Sequence, residues 1–232
     1  KLSGEKIKWI NNFNTIKSGP VIFLGNEFFD AIPIKQFKKI ENIMFEKYVG
    51  LDDNSKINFF FKKTDSKTIK ELKKFKLLKN QSFIEFPKKG LKELDLITKT
   101  IKRLNGGLLL IDYGFLKQSN NNTLQSIKNH KKNMLFDNLG NADITSLVNF
   151  NLLKTYFKKK NLKTNNIVTQ AYFLKKMGII NRAEILSKKM NFQEKSKIYY
   201  RLQRLLDPTQ MGELFKAIFA FKLKKKFTTG FI

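Results

Sequence analysis

The chain has 232 residues, 41% of them hydrophobic, enough to bury a core and too many for a disordered tail. It carries 46 Lys and Arg against 19 Asp and Glu, a formal net charge of +27. There is no cysteine and one histidine, His130, which excludes disulfides, thiolate nucleophiles and His- or Cys-rich metal sites; no metal is expected. The positive charge is almost all lysine and spread along the chain, and Lys, Asn, Ile and Phe share A/T-rich codons. A base-reading site would use arginine forks more often. Non-specific sticking to polyanions is expected, and specific nucleic-acid binding is not. No apolar run approaches the ~20 residues of a membrane span. Lys1–Ile10 shows neither a signal-peptide nor a transit pattern.

In chain order, Gly19-Pro20 leads into the apolar run Val21–Gly25, which predicts a strand buried on both faces of a parallel sheet. Asn26–Ala31 reads as a loop-to-helix turn closed by Pro33. Phe45–Val49 and Ile57–Phe61 flank the turn-forming Leu51–Ser55 and predict a hairpin. Asp65–Leu78 has helical spacing, as has Leu91–Leu104, which Gly106-Gly107 should end. Leu108–Asp112 predicts a second buried strand, so helix, Gly-Gly and strand form one α/β crossover. A long polar loop follows over residues 118–141, with Asn120–Asn122 at its tip. Ser146–Lys160 predicts a helix, Asn166–Thr169 an extended segment and Gln170–Met177 a helix. Arg182–Leu206 predicts a helical pair broken near Asn191, and Leu214–Phe221 a last strand. There are no internal repeats.

Several strings, in order, resemble the MidA-like family of class I S-adenosylmethionine-dependent methyltransferases, which includes the mitochondrial complex I assembly arginine methyltransferases. The most specific is Gly25 through Pro33 (GNEFFDAIP), similar to that family's Asn-Glu-Phe-Phe-Asp-Ala-Leu/Ile-Pro signature. The others are Leu110–Gly114 (LIDYG), Thr123–Gln125 followed by His130, Asn141–Thr145 (NADIT), Val168–Gln170 (VTQ) and Met211–Lys216 (MGELFK). The family's Gly-Asp-Phe and Glu-Leu-Gly-Pro-Gly-x-Gly strings are absent. Asn149 stands where the family usually has Asp, and Ala171 where it has Gly.

The resemblance implies an α/β fold: one Rossmann-like class I methyltransferase sheet with helices on both faces, over residues 1–232. Inserted hairpin and helical segments are implied at about residues 36–88. Of the class I order 3-2-1-4-5-7-6, this chain would supply strands 3, 4, 5, 6 and 7, with Lys6–Ile10 as strand 3 and Trp9 at a family position. The first two strands would be missing, and with them the glycine-rich turn for the cofactor's carboxylate and the acid for its ribose. Val21–Gly25 would then present an apolar edge, and the chain alone should fold poorly or bind cofactor weakly.

The implied function is S-adenosyl-L-methionine-dependent methyl transfer to a protein arginine, possible substrates including a respiratory-complex subunit. The location implied is bacterial cytoplasm, or mitochondrial matrix in a eukaryote. A non-catalytic assembly factor keeping the fold is the alternative, and a basic nucleic-acid binder a third. Arginine is cationic at working pH, so carboxylates must grip its guanidinium and draw charge from the attacking nitrogen. Glu27 and Asp30 suit that role; if their turn is helical, their spacing puts them on one side. Asn26 could orient substrate or cofactor, and Asn11 could accept from the cofactor's adenine. Asp112, Tyr113, Asp143 and Gln170 are candidate substrate contacts. Each has a plain alternative: Asn26 with Glu27 as helix capping, Asp112 satisfying the Gly114 turn, Tyr113 packing, Asp143 with Thr145 as a cap, Gln170 as a helix start. His130 should be solvated, and Phe28-Phe29 should be core.

Overall fold

A computed structural model describes residues 7–79, 81–117, 120–223 and 227–232. Residues 7–10 have no regular structure and Trp9 is exposed, which corrects the strand expected there; Lys6 lies outside the described residues. A strand at this place would need a neighbour to take its backbone hydrogen bonds, and none of the described strands lies against it. A 3-10 turn at Phe13–Thr15, capped by the Asn12 side chain, leads to β1 (Val21–Asn26). Then come β2 (Lys35–Ile40), β3 (Ile43–Leu51) and β4 (Ile57–Lys63). Helix α1 (Ser66–Lys74) starts at Asp65, whose carboxylate accepts from the Thr68 N–H. Strand β5 (Phe83–Phe86) and helix α2 (Lys88–Leu104) precede the ten-residue β6 (Gly106–Phe115).

The polar stretch that reads as loop holds three short strands, β7 (Gln125–Lys128), β8 (Lys131–Asn133) and β9 (Asp143–Thr145). Asn129 and His130, both at positive φ, make the β7–β8 turn, and His130 is exposed as expected. Short β10 (Val148–Asn149) runs into α3 (Phe150–Lys159), which Asn149 caps; the helix predicted from Ser146 therefore starts four residues later, at Phe150. The remainder is β11 (Lys163–Thr164), β12 (Val168–Thr169), α4 (Gln170–Lys176), α5 (Ile179–Ser187), α6 (Phe192–Leu206), α7 (Met211–Leu214) and β13 (Phe215–Lys222). The break near Asn191 is a capping box with Glu194.

The main sheet has the order β1-β6-β13-β11, with β1 and β6 parallel and β13 antiparallel between β6 and the β11 and β12 pieces. This is the 4-5-7-6 part of the expected order. The period of two splits it into two faces. Leu108, Leu110, Ile218 and Ala220 pack with Leu94, Ile97 and Ile101 of α2 and with Phe150, Leu153 and Phe157 of α3. On the other face Ala217, Phe219 and Phe221 pack with Phe173 of α4 and Phe231, flanked by Leu109 and Ile111. Each large aliphatic side chain wholly buried here, such as Leu94 or Ile101, contributes about 1.5–3 kcal/mol.

Strand β1 is not buried on both faces: Ile22 is 54% and Leu24 75% exposed. Phe23 faces the α2 side and meets Phe13 edge-on at 5.3 Å, whereas α4 covers the far end of the sheet. The edge is apolar, as its composition implies. Between β1 and α2, residues 35–86 build a separate antiparallel sheet in the order β4-β3-β2-β5. Strands β2 and β5 escape the sequence pattern because lysines flank β2 and β5 has only four residues.

Gly106 opens β6 rather than ending α2; Asn105, at φ 62°, ends the helix. Gly106 sits at φ 114°, and a Cβ there would lie 1.9 Å from the Val21 carbonyl oxygen. Gly106→Ala should therefore lower the unfolding free energy by at least about 2 kcal/mol. Urea denaturation followed by circular dichroism would show it as a lower midpoint at unchanged slope.

Candidate functional site

The carboxyl ends of β1 and β6 lie side by side, since Asn26 is in register with Ile111. In open α/β sheets ligands bind beyond such strand ends. The chain leaves β1 through Glu27, at φ 46°, whose N–H donates to the Ile111 carbonyl at 3.0 Å. The turn is not helical, which corrects the expectation and removes the helix-capping role for Asn26. Asn26 instead ends the strand, and its amide donates to the Glu27 carboxylate at 3.3 Å.

Asp112 takes over the cap from the neighbouring strand. Its Oδ2 accepts from the N–H groups of Phe28 at 3.2 Å, Phe29 at 2.8 Å and Asp30 at 3.3 Å. Its Oδ1 accepts from the Tyr113 N–H at 2.9 Å. Asp112 is buried, and that burial pushes its carboxyl up to about 6; the backbone donors, led by Phe29, pull the other way, while the Asp30 charge pushes it up further. Asp30 is also buried. Its Oδ2 accepts from the Tyr113 hydroxyl, and its Oδ1 has no partner. Burial raises the Tyr113 hydroxyl far above its ordinary range; the bond to Asp30 adds to this and a bond with the Thr145 side chain opposes it. Glu27 is exposed at the mouth of the cluster.

Glu27, Asp30, Asp112, Tyr113 and Asn26 thus come together, on different terms from those the local sequence suggests. Because the turn is not helical, Glu27 and Asp30 do not share a helix side: one is outside and the other inside. Phe29 is core, but Phe28 is 46% exposed. Asp143 is exposed on β9, and it is Thr145, two residues on, that reaches Tyr113. Gln170 is buried at the start of α4, where its amide donates to the Leu205 carbonyl at 3.1 Å and ties α4 to α6. Asn11 is exposed ahead of the 3-10 turn, and among the described residues it makes no hydrogen bond with the cluster. Thr145 and Ser146, whose N–H donates to the Asp30 carbonyl at 3.0 Å, are the neighbours that local pattern misses.

Among the described residues, none of the three carboxylates is in an ion pair, although the chain has 46 Lys and Arg. Lys216 is in register with Asp112, yet its amine donates to the Glu213 carbonyl. Parallel strands with an antiparallel strand beside the central one define a Rossmann-like α/β protein, here with an acidic cluster at its strand ends.

The comparisons with known proteins agree. The chain belongs to the family described as "Putative S-adenosyl-L-methionine-dependent methyltransferase", whose model matches residues 1–168. A mitochondrial protein arginine methyltransferase NDUFAF7 homolog of Caenorhabditis elegans is 31% identical over 183 residues, 78% of this chain and 42% of that protein. The mitochondrial protein arginine methyltransferase NDUFAF7 of Danio rerio is 26% identical over 92% of this chain and 50% of its own length. The chain spans about half the length of these curated relatives. Two Burkholderia thailandensis structures of the COG1565 superfamily share the fold at 21% identity. One has a TM-score of 0.78 and is covered over 58% of its chain by 92% of this one. The other, bound to S-adenosyl-homocysteine, has a TM-score of 0.77 and is covered over 57% by 97% of this chain.

The cofactor of this family is S-adenosyl-L-methionine. The residues present fit one side of it: a sulfonium is a cation, and the strand ends offer the exposed carboxylate of Glu27 beside Asn26.

The Asp112 environment has a measurable consequence. Its folded value of about 6 exceeds the unfolded value near 3.8, so the folded state binds the proton more tightly. The stability this confers is fully present below pH ~3.8 and is lost as pH rises through 6. Asp112→Asn should remove that component, worth roughly 3 kcal/mol at most. The difference between the two urea-stability profiles, taken from pH 4 to pH 7.5, should therefore slope; parallel profiles would contradict the assignment.

Proposed function

We propose that this chain forms the acceptor side of an S-adenosyl-L-methionine-dependent protein arginine methyltransferase. The observation that carries the proposal is the trio of carboxylates without ion pairs at the ends of β1 and β6 in a strongly basic chain. A guanidinium supplies what the trio lacks: fixed positive charge and several N–H donors in a fork.

Exposed Glu27 is the first carboxylate an entering arginine meets and accepts from its guanidinium, with Asn26 holding the carboxylate from the side. The Oδ1 of Asp30, buried and without a partner, accepts a further N–H once the turn admits the side chain, while the Tyr113 hydroxyl fixes Oδ2. Drawing positive charge toward these oxygens leaves the attacking nitrogen more nucleophilic, and either can take up the released proton directly or through water. Asp112 is filled by its backbone donors and acts by holding the turn. Bound S-adenosyl-L-methionine supplies an electrophilic methyl group on a sulfonium; Asn26 and Glu27 are the residues of this chain placed to face it.

Support for arginine, beyond the chemistry, comes from the relatives named as arginine methyltransferases at 26–31% identity. A respiratory-complex subunit as the protein substrate, and a mitochondrial location, follow the same resemblance. Asp143 and Gln170 have roles in the fold here, and Asn11 is left as a contact of the cofactor's adenine.

In the native gene product, tritiated methyl transfer to total cell protein should yield methylarginine on mass spectrometry. Glu27→Gln and Asp30→Asn should each lower kcat/KM by about 100-fold or more, with circular dichroism unchanged. Methylation of lysine or carboxylates instead, or full activity in both variants, would refute the proposal. A non-catalytic assembly factor would show no methyl transfer in any form.

A further inference from the structure

The segment between β6 and α3 returns to the cluster at Thr145 and Ser146, and its starting end is moored from another sheet. Glu85, on β5, accepts at Oε1 from the Thr123 N–H at 3.0 Å and from the buried Gln36 amide at 2.8 Å. Its Oε2 accepts from the Thr123 hydroxyl at 2.5 Å. The same hydroxyl oxygen accepts from the Leu147 N–H at 3.0 Å, so Thr123 bridges Glu85 to the returning end. Two residues past Thr123, Gln125 is in register with Thr145 and its amide donates to the Thr145 hydroxyl at 3.3 Å. The Thr145 side chain lies near enough to the Tyr113 hydroxyl to oppose its upward shift, and the Ser146 N–H donates to the Asp30 carbonyl at 3.0 Å. Hydrogen bonds thus run from Glu85 through Thr123 to the returning end of the segment, whose Ser146 N–H holds the Asp30 backbone carbonyl.

We propose that Glu85 and Thr123 are positioning residues that set the 123–147 segment as a lip against the Asp30–Tyr113 pair and hold the unpartnered oxygen of Asp30 in place. The proposal rests on that pair being the acceptor site. Neither residue touches substrate; both act through Thr145 and Ser146. Glu85 suits this because its two oxygens receive three donors, and it is half-buried in the sheet built by residues 35–86. The inserted sheet thereby contributes to the site from a distance.

The decisive comparison is Thr123→Val, which keeps the shape and removes the hydroxyl, against Thr123→Ser, which keeps the hydroxyl. Hydrogen exchange of the native protein should show the Leu147 and Ser146 amides exchanging about tenfold faster or more in Thr123→Val and in Glu85→Ala. Leu110 and Ile218 of the main sheet should be unchanged, and Thr123→Ser should behave as wild type. In methyl transfer, Thr123→Val should lower kcat by about tenfold or more, since ångström misplacement is costly, with KM for S-adenosyl-L-methionine within about twofold. Acceleration that spreads equally to Leu110 and Ile218 would overturn the proposal, as would unchanged Leu147 and Ser146 amides. A freed lip with wild-type kcat would do so as well. The exchange measurement needs no methyl acceptor, so it gives its answer even if arginine proves to be the wrong substrate.

Discussion

Four backbone N–H groups converge on one buried carboxylate, and the end of the sheet is organised around that contact. The turn after β1 points three successive N–H groups the same way, a concavity that attracts an anion. The anion is Asp112, from the adjacent strand 82 to 84 positions later in the chain. The contact fixes the turn against β6, sets Asp30 beside Tyr113 and leaves Glu27 at the mouth. It is not free of cost. Desolvation outweighs the hydrogen bonds, which is why the carboxyl is held above its ordinary value rather than below it. Charge already under strain is therefore built into the site, and a cationic ligand would relieve it.

The strands that carry this cluster are unequally supported. β6 is central and packed on both faces, whereas β1 is an edge with Ile22 and Leu24 open on one face. Two further segments lie on the other side of the turn. Residues 35–86 follow the turn directly, and residues 116–147 leave the tip of β6 and come back to Asp30 through Ser146. They are joined to each other through Glu85 and Thr123, and again where Asn120 accepts from the Ser82 and Phe83 N–H groups. Asn120–Asn122 is therefore an anchored segment and not a loop tip. The geometry of the acidic end depends on these two segments as well as on the main sheet.

Local pattern makes much of this legible. Continuous apolar runs mark β1 and β6, apolar spacing marks α2, and the capping residues Asp65 and Asn191 open their helices. The strings around Glu27 and Asp112 point to the carboxyl ends of β1 and β6, which lie side by side. What stays hidden is long-range. That Asp112 would cap a turn more than 80 residues away, and so prevent the helix that Asn26 and Glu27 suggest, follows from strand adjacency and not from spacing. Strand β2 is written in lysines with only Gln36 and Phe37 buried, so neither period declares it. Gln170 looked like a polar contact for a substrate, but helix α6 supplies its partner 35 residues on. Thr145 was visible only as part of a capping pattern, because its partner Tyr113 comes from another element.

Composition sharpens the meaning of the cluster. The chain has 46 bases for 19 acids, and among the described residues Glu46, Glu71 and Asp95 are in ion pairs while the acids of the cluster are not. A lysine stands in register with Asp112 itself. Neutralising the cluster with Lys216 would remove repulsion between Asp30 and Asp112, an interaction that low-dielectric surroundings strengthen. Yet the Lys216 amine is held by a backbone carbonyl, and burial depresses its own proton affinity. An internal cation in that place would compete with an incoming one for the same oxygens. Under the proposed function, leaving these acids without an internal cation keeps them for an incoming one, at a cost in stability.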